Sequence, residues 1–163
     1  MCDYSLEGLP NRLAVRGERL VTRRFRSGSI GMASEWDVTA ATQPKLEQGE
    51  SRGWWAAVKC WLSPQTEADN IPAVCIPPGA RLRMSRIPDK MQRSQALHPV
   101  EDVTFVQLSA EAFQYRDAIR FDSGRKVLLQ TLAEGIPFEV VSLDVAEPEP
   151  EPIDGILVYP DAA

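Results

Sequence analysis

Three cysteines and one histidine, at Cys2, Cys60, Cys75 and His98, are the residues in this 163-residue chain best suited to covalent or metal chemistry. Cys2 directly follows the initiator methionine, which is removable when the second residue is small. The thiol would then sit beside a free α-amine of pKa about 8, a base able to activate it. Cys2 is therefore the catalytic candidate. A tetrahedral metal site of three cysteines and a histidine is the other use of these residues, with Cys2, Cys75 and His98 as its candidate ligands and Cys60 as a fourth. No short Cys-x₂-Cys spacing supports it, and the four residues come from four separate segments. Within Val74-Cys75-Ile76, Cys75 reads as a small buried hydrophobe, Cys60 sits among tryptophans, and His98 precedes Pro99 in a loop. The expectation is no metal and no cofactor. Three widely spaced cysteines build no disulfide framework and read as thiols of a reducing compartment, which with the lack of an apolar leader gives a cytoplasmic expectation.

Charge is the next lead. The net charge is −5, yet residues 1–100 carry 14 Lys+Arg against 10 Asp+Glu, and residues 101–163 carry 4 against 13. Six arginines fall between Arg12 and Arg26. The planar guanidinium suits carboxylates or phosphates. An acidic overall balance argues against nucleic acid, so Arg16, Arg19, Arg23, Arg81 and Arg83 are read as a basic face for proteins or for the chain's own acids. Phosphate-cradling glycine loops, a Gly-x-Ser-x-Gly elbow and His-Glu-x-x-His do not occur in the sequence. No apolar run approaches the roughly 20 residues that span a bilayer, which gives no expectation of a membrane.

The elements that must position these residues follow from periodicity. RLVTRRF (19–25) and SIGMAS (29–34) read as a hairpin around Arg26-Ser27-Gly28. Ser34, followed by Glu35, Trp36 and Asp37, reads as the cap of a short helix running to about Ala41. WWAAVKCWL (54–62) suits a helix that Pro64 ends, and AVCIPPGARLRMSRIP carries a Pro-Pro-Gly turn between two strands. In the second of these, Leu82 and Met84 alternate with Arg81, Arg83 and Ser85. Asp89 reads as the cap of a helical turn through Met91 to Leu97. VEDVTFVQL, AFQYRDAIRF, RKVLLQTL and PFEVVSL are four strand-like runs. Phe113, Tyr115, Ile119 and Phe121 share a face that Asp117 interrupts, and Asp117 needs a partner, Arg24 or Arg83 of another strand. The turns Asp122-Ser123-Gly124 and Glu134-Gly135 join the last three of these runs into an antiparallel meander able to close into a small barrel or to pack on a helix. The fold class is α+β: a small, mostly antiparallel β-barrel or sheet with two or three short helices and an acidic, proline-rich tail. The alternation Cys2, Tyr4, Leu6 predicts an N-terminal edge strand or a segment lying over the barrel.

Past the domain, residues 1–145, comes the linker 146–152 with its EPEPEP, extended because prolines donate no hydrogen bonds and the acids repel. Residues 153–163 follow as an apolar docking peptide in which Ile153, Ile156, Leu157, Val158 and Tyr159 would meet a partner by adding as a strand to a sheet edge.

The Met-Cys opening resembles that of class II glutamine amidotransferases, which implies an N-terminal nucleophile at Cys2. The likeness covers little more than two residues: no glycine stands at position 3, and His-Thr-Arg and Asn-Gly are missing. MCDYSL at the start, IPAVCIPPGARL and YRDAIRFDSGRKVLLQ together resemble a family of uncharacterised bacterial proteins with no assigned activity. That resemblance implies a shared domain of about residues 1–145 and no chemistry. The functional expectation is a non-catalytic accessory or interaction protein, bound to a protein partner or to its own copies through the C-terminal peptide. The alternative is a small cysteine-dependent hydrolase or amidotransferase, or a metal-binding protein, centred on Cys2.

Overall fold

The computed structural model describes residues 8–42, 71–109, 114–143 and 156–157. Alternation governs most of it. In β2 (Arg19–Arg24) Leu20 and Thr22 are buried while Arg19 is exposed, and β3 (Ile30–Ser34) returns antiparallel, pairing Leu20 with Ser34 and Arg24 with Ile30. The turn between them closes with Phe25 N–H donating to Ser29 O at 2.9 Å and with Gly28 at φ 81°, a backbone region costly to residues with a Cβ. β3 is buried on both faces because Ile30 and Met32 enter the main core while Ala33 packs with Phe25, Ile71 and Ala73 beneath Val38 and Ala41 of α1 (Glu35–Thr42).

The remaining elements are β1 (Asn11–Leu13), β4 (Ala73–Cys75), β5 (Arg81–Ser85), α2 (Asp89–Gln95), β6 (Val100–Gln107), β7 (Asp117–Phe121), β8 (Lys126–Leu128), a 3-10 turn (Leu129–Thr131), β9 (Pro137–Ser142) and β10 (Ile156–Leu157). The ten strands among the described residues belong to one sheet, ordered β1-β4-β3-β2-β9-β5-β6-β7-β8-β10. The pairs β1–β4 and β8–β10 are parallel; the others are antiparallel. The fold is thus α+β with a mostly antiparallel sheet, as expected, but the sheet is curled and open rather than closed into a barrel. Its inner face carries the core: Leu20, Leu82, Met84, Val103, Ile119, Val127, Phe138 and Val140, closed at the ends by Met91, Leu132 and Ile136.

Several expectations are corrected. Two strands flank Pro-Pro-Gly as expected, and they go to different neighbours: β4 pairs with β1 and β3, and β5 with β9 and β6. Of the expected meander only the β7–β8 hairpin forms, with β6 beside β7, whereas β9 leaves it to insert between β2 and β5. β7 begins only at Asp117, so Tyr115 stands outside it, 48% exposed. Asp117 is buried and accepts a hydrogen bond from Gln107 Nε2 at 3.1 Å; Arg83 is engaged by Asp102, and Arg24 Nη1 donates to Gly28 O. The cap before α2 is Pro88, not Asp89. The expected helix at 54–62, the N-terminal segment with Cys2, Tyr4 and Leu6, Phe113 and the boundaries near 145 and 152 lie outside the described residues.

Candidate functional site

β9 owes its place to an alternation that suits a central strand: Phe138 and Val140 point into the core, and Glu139 points out. Glu139 lies in register with Arg19 of β2 on one side and Arg83 of β5 on the other. Arg83 in turn faces Asp102 of β6, with Arg83 Nε donating to Asp102 Oδ1 at 2.9 Å and Nη2 to Oδ2 at 3.3 Å. At the far end, Arg19 Nη1 lies 3.8 Å from Glu35 Oε2, in the first turn of α1. Glu35, Arg19, Glu139, Arg83 and Asp102 therefore form a ladder of alternating sign across four strands. Directly opposed unlike charges stabilise such a pairing, and the geometry is stiffened by the sheet beneath. The hydrogen bond from Asp102, reinforced by its charge and that of Glu139, holds the Arg83 guanidinium above its ordinary pKa. The Asp102 carboxyl is correspondingly held below the ordinary carboxylate range, first by the Arg83 hydrogen bond and against a smaller effect of burial.

The ladder floors a cavity of about 240 Å³ lined by Arg19, Glu35, Arg83, Arg86, Val100 and Glu139. A second concavity of about 440 Å³ shares Arg19 and Glu35 and runs past Glu18 to Trp36, which is 78% exposed. Arg86 stands at the end of β5 with φ 51°, a left-handed conformation that costs a non-glycine residue energy and is found disproportionately at binding sites. One wall is held by a second network. Arg12 Nη1 donates to Glu18 Oε2 at 3.1 Å, its other terminal nitrogen donates to Glu18 Oε1, and Asp37 of α1 lies 3.7 Å from the same guanidinium. Val15 N–H also donates to Glu18 Oε2, at 3.0 Å. Burial pushes the Glu18 carboxyl up, but the hydrogen bonds from Arg12 and Val15 and the charge of Arg12 outweigh it and leave the group below its ordinary value.

Next to the ladder runs a row of different character. Arg81 of β5 faces Thr104 of β6, Thr104 faces Arg120 of β7, and Arg120 faces Lys126 of β8. This row carries three cations and no acid. Beside it on the same face Val106, Ala118 and Leu128 form a small apolar cluster. At the sheet edge β8 receives β10 in parallel, Ile156 beside Lys126 and Leu157 beside Val127.

Of the residues singled out in the sequence, Arg19, Arg81 and Arg83 share this outward face; Arg83 and Arg19 belong to the ladder and Arg81 to the cationic row. Arg23 is half-buried further along β2, and Arg16 is exposed in the turn between β1 and β2. Ile156 and Leu157 lie in β10; Ile153, Val158, Tyr159, Cys2 and Cys60 lie outside the described residues. The three-thiol expectation is overturned, because Cys75 is disulfide-bonded. A disulfide sulfur is not a thiolate ligand, so Cys75 does not serve as a metal ligand in this state, and the argument from free thiols to the cytoplasm loses its footing. His98 is exposed, its backbone N–H donating to Glu101 Oε1 at 2.7 Å. Among the described residues no group of three or more His, Cys, Asp or Glu is placed to hold a metal ion. Among them, too, no helix is long and apolar enough to cross a membrane. Glu35, Glu139, Asp102 and Arg86 escaped the sequence reading. The outward place of Glu139 in PFEVVS was a usable signal, but its neighbours across the sheet were not.

The fold and this surface define the chain as an α+β protein built on one open, curled sheet with a polar, charge-alternating groove. No protein-family model, curated protein or solved structure matches it.

Proposed function

We propose that this protein is a non-catalytic binding module for another protein or for its own copies, with the C-terminal segment as one contact. The observation that carries this reading is the pairing of Ile156–Leu157 with β8, the last strand of the domain. A short apolar segment reaching a sheet edge by way of a proline- and glutamate-rich stretch is the chemistry of strand addition, in which main-chain hydrogen bonds supply affinity and alternate side chains supply selectivity. An edge that takes up such a strand is also the place where a second chain can pair. The groove supports the same reading. Its carboxylates alternate with arginines, and it is flanked by exposed Trp36 and Val100, a mixture typical of protein-contact surfaces.

The test is a pair of substitutions in the full chain, Ile156→Asp and Leu157→Asp. The expected result is an unchanged circular dichroism spectrum together with loss of self-association in sedimentation or of the main protein co-purified from the native host. A doubly substituted chain that folds and keeps its oligomeric state and every co-purified protein overturns the proposal.

A further inference from the structure

Among the described residues two that are not glycine hold a positive φ, Arg86 at 51° and Ala96 at 52°. Ala96 has a structural reason, since it is the left-handed cap that ends α2. Arg86 has no such role: it follows β5 and precedes the Pro88 that caps α2. A backbone conformation of this cost persists only where the surroundings fix it, and it gathers at binding sites. The Arg86 side chain is exposed and, among the described residues, makes no hydrogen bond or ion pair. The pocket that it lines holds three arginines and two carboxylates. Arg83 is engaged by both oxygens of Asp102, and Arg19 has Glu35 at 3.8 Å, so the cation left over in this pocket is Arg86.

We propose that this groove is a docking site for a short extended segment of a partner protein, with Arg86 holding a carboxylate side chain of that segment and Trp36 meeting an apolar one. Size decides against a free metabolite. The pocket, about 240 Å³, lies below the roughly 300–1,000 Å³ of small-molecule sites. It continues instead, through Arg19 and Glu35, into the second concavity that runs to Trp36. Its length follows from the sheet. Ser85 is in register with Val100, which puts Arg86 at the β6 end, and three inter-strand steps of about 4.8 Å lead from β6 through β5 and β9 to β2. That span of about 14 Å takes about four residues of extended peptide at about 3.3 Å each. Charge selects the anion. A guanidinium suits a carboxylate bidentately, while Glu35 and Glu139 in the same pocket oppose the second charge of a phosphate. An exposed ion pair contributes little affinity, so Arg86 sets the register and the exposed Val100 and Trp36 supply the apolar contact. The inference rests on the reading of the chain as a protein-binding module and deepens it by naming the occupant of the groove.

The experiment is selection of short random peptides displayed on phage against the immobilised full chain, followed by amide-shift mapping of a selected peptide on the isotopically labelled protein. The expected result is enrichment of sequences with Asp or Glu about four positions from a large apolar residue, shifting the amides of Arg86, Val100 and Glu139. Arg86→Ala is expected to weaken the peptide several-fold and Arg86→Glu to abolish its binding, whereas Arg86→Lys keeps the charge without the fork and should weaken it least. Arg86→Gly gives a second reading. Glycine adopts φ 51° without strain, so the urea midpoint should rise while the peptide weakens as in Arg86→Ala. Selected peptides that lack acids, that shift amides elsewhere or that bind Arg86→Ala unchanged overturn the proposal, as does a selection that enriches nothing. Loss of partner binding in the Ile156→Asp/Leu157→Asp chain, with no acidic peptide selected on the unaltered protein, would remove this inference and leave the proposed function standing. An acidic peptide seated at Arg86, beside a doubly substituted chain that keeps its oligomeric state and every co-purified protein, would uphold the groove and remove the C-terminal contact.

Discussion

Arg83 stands directly opposite Asp102 across β5 and β6, donating to both carboxylate oxygens, at 2.9 and 3.3 Å. Together with the pair of Arg12 and Glu18 it contributes to how the fold answers to acid. Asp102 and Glu18 both titrate below their ordinary values in the folded chain. A carboxyl with a depressed folded pKa stabilises the fold above its unfolded pKa, about 4, and that contribution disappears as pH falls through the folded pKa. Stability is therefore expected to be level from neutrality to about pH 5 and to decline below about pH 4. Glu18 should dominate, since its side chain is 13% exposed against 38% for Asp102, where solvent screens the pair. Urea midpoints measured from pH 7 to pH 2 check this: Glu18→Gln should flatten the acid limb and Asp102→Asn should change it little. An acid limb unchanged by Glu18→Gln would contradict the assignment.

The alternating ladder also predicts what its groove does not bind. Arg19 lies between Glu139, its register partner, and Glu35 of α1, and Arg83 lies between Glu139 and Asp102, so a phosphate backbone approaching them meets all three acids. Generic RNA is expected to show no measurable binding at about physiological ionic strength, about 0.15 M. Binding there that weakens steeply with added salt, the mark of released counterions, would mean that the arginines serve nucleic acid instead.

Thr22 is a single polar side chain joining two distant parts of the chain. Buried in β2, its Oγ1 donates to Ala133 O at 2.7 Å and accepts from Ile136 N–H at 2.8 Å, fixing the turn that delivers β9 to β2. Backbone bonds from Thr22 N–H to Ile136 O and from Gly135 N–H to Thr22 O complete the clamp. Thr22→Val keeps the shape but leaves a buried donor and an acceptor without their partner, which costs about 1–3 kcal/mol. Thr22→Ser retains the hydroxyl and should recover most of the loss. Thermal or urea denaturation gives the comparison, and a Thr22→Val chain as stable as the original would show that the clamp contributes nothing.

How much of this was legible before folding depends on the range of each interaction. The hairpin of β2 and β3, helix α1, strand β5 and helix α2 were readable because each is declared within a few residues: alternation around Leu20 and Thr22, a glycine able to take φ 81° at position 28, acids after Ser34, Leu82 and Met84 two apart. What alternation does not encode is the neighbour. Nothing local in PFEVVS says that it lies between Arg19 and Arg83, and nothing in AVCIPPGARL says that its two strands part to different regions of the sheet. The basic face was therefore read as a set of arginines, whereas register places Arg19 and Arg83 between acids in one ladder and Arg81 in the neighbouring row opposite Thr104. Asp117 illustrates the same point: it accepts a hydrogen bond from Gln107 on the adjacent strand, a neighbour that alternation does not name.

Cys75 supplies the last prediction. It ends β4, buried, and is disulfide-bonded, and only Cys2 and Cys60 are available as partners within the chain. One bridge among three cysteines leaves one thiol. In denaturant without reductant a single thiol per chain should react, and three should react after reduction. Replacement by serine then names the partner: the variant lacking it presents two thiols, and the variant lacking the odd cysteine presents none. The energetic consequence differs between the two. In the chain-entropy view a bridge to Cys60 closes a short loop worth about 3 kcal/mol, and one to Cys2 closes a much longer loop worth about 4–5 kcal/mol, which also ties the N-terminus to the sheet. If the bridge uses Cys60, the thiol left over is Cys2, and its labelling rate at neutral pH becomes a direct measure of whether that terminus is activated. Three thiols reacting without reductant would show that the bridge is not formed in solution and would restore the three-thiol reading.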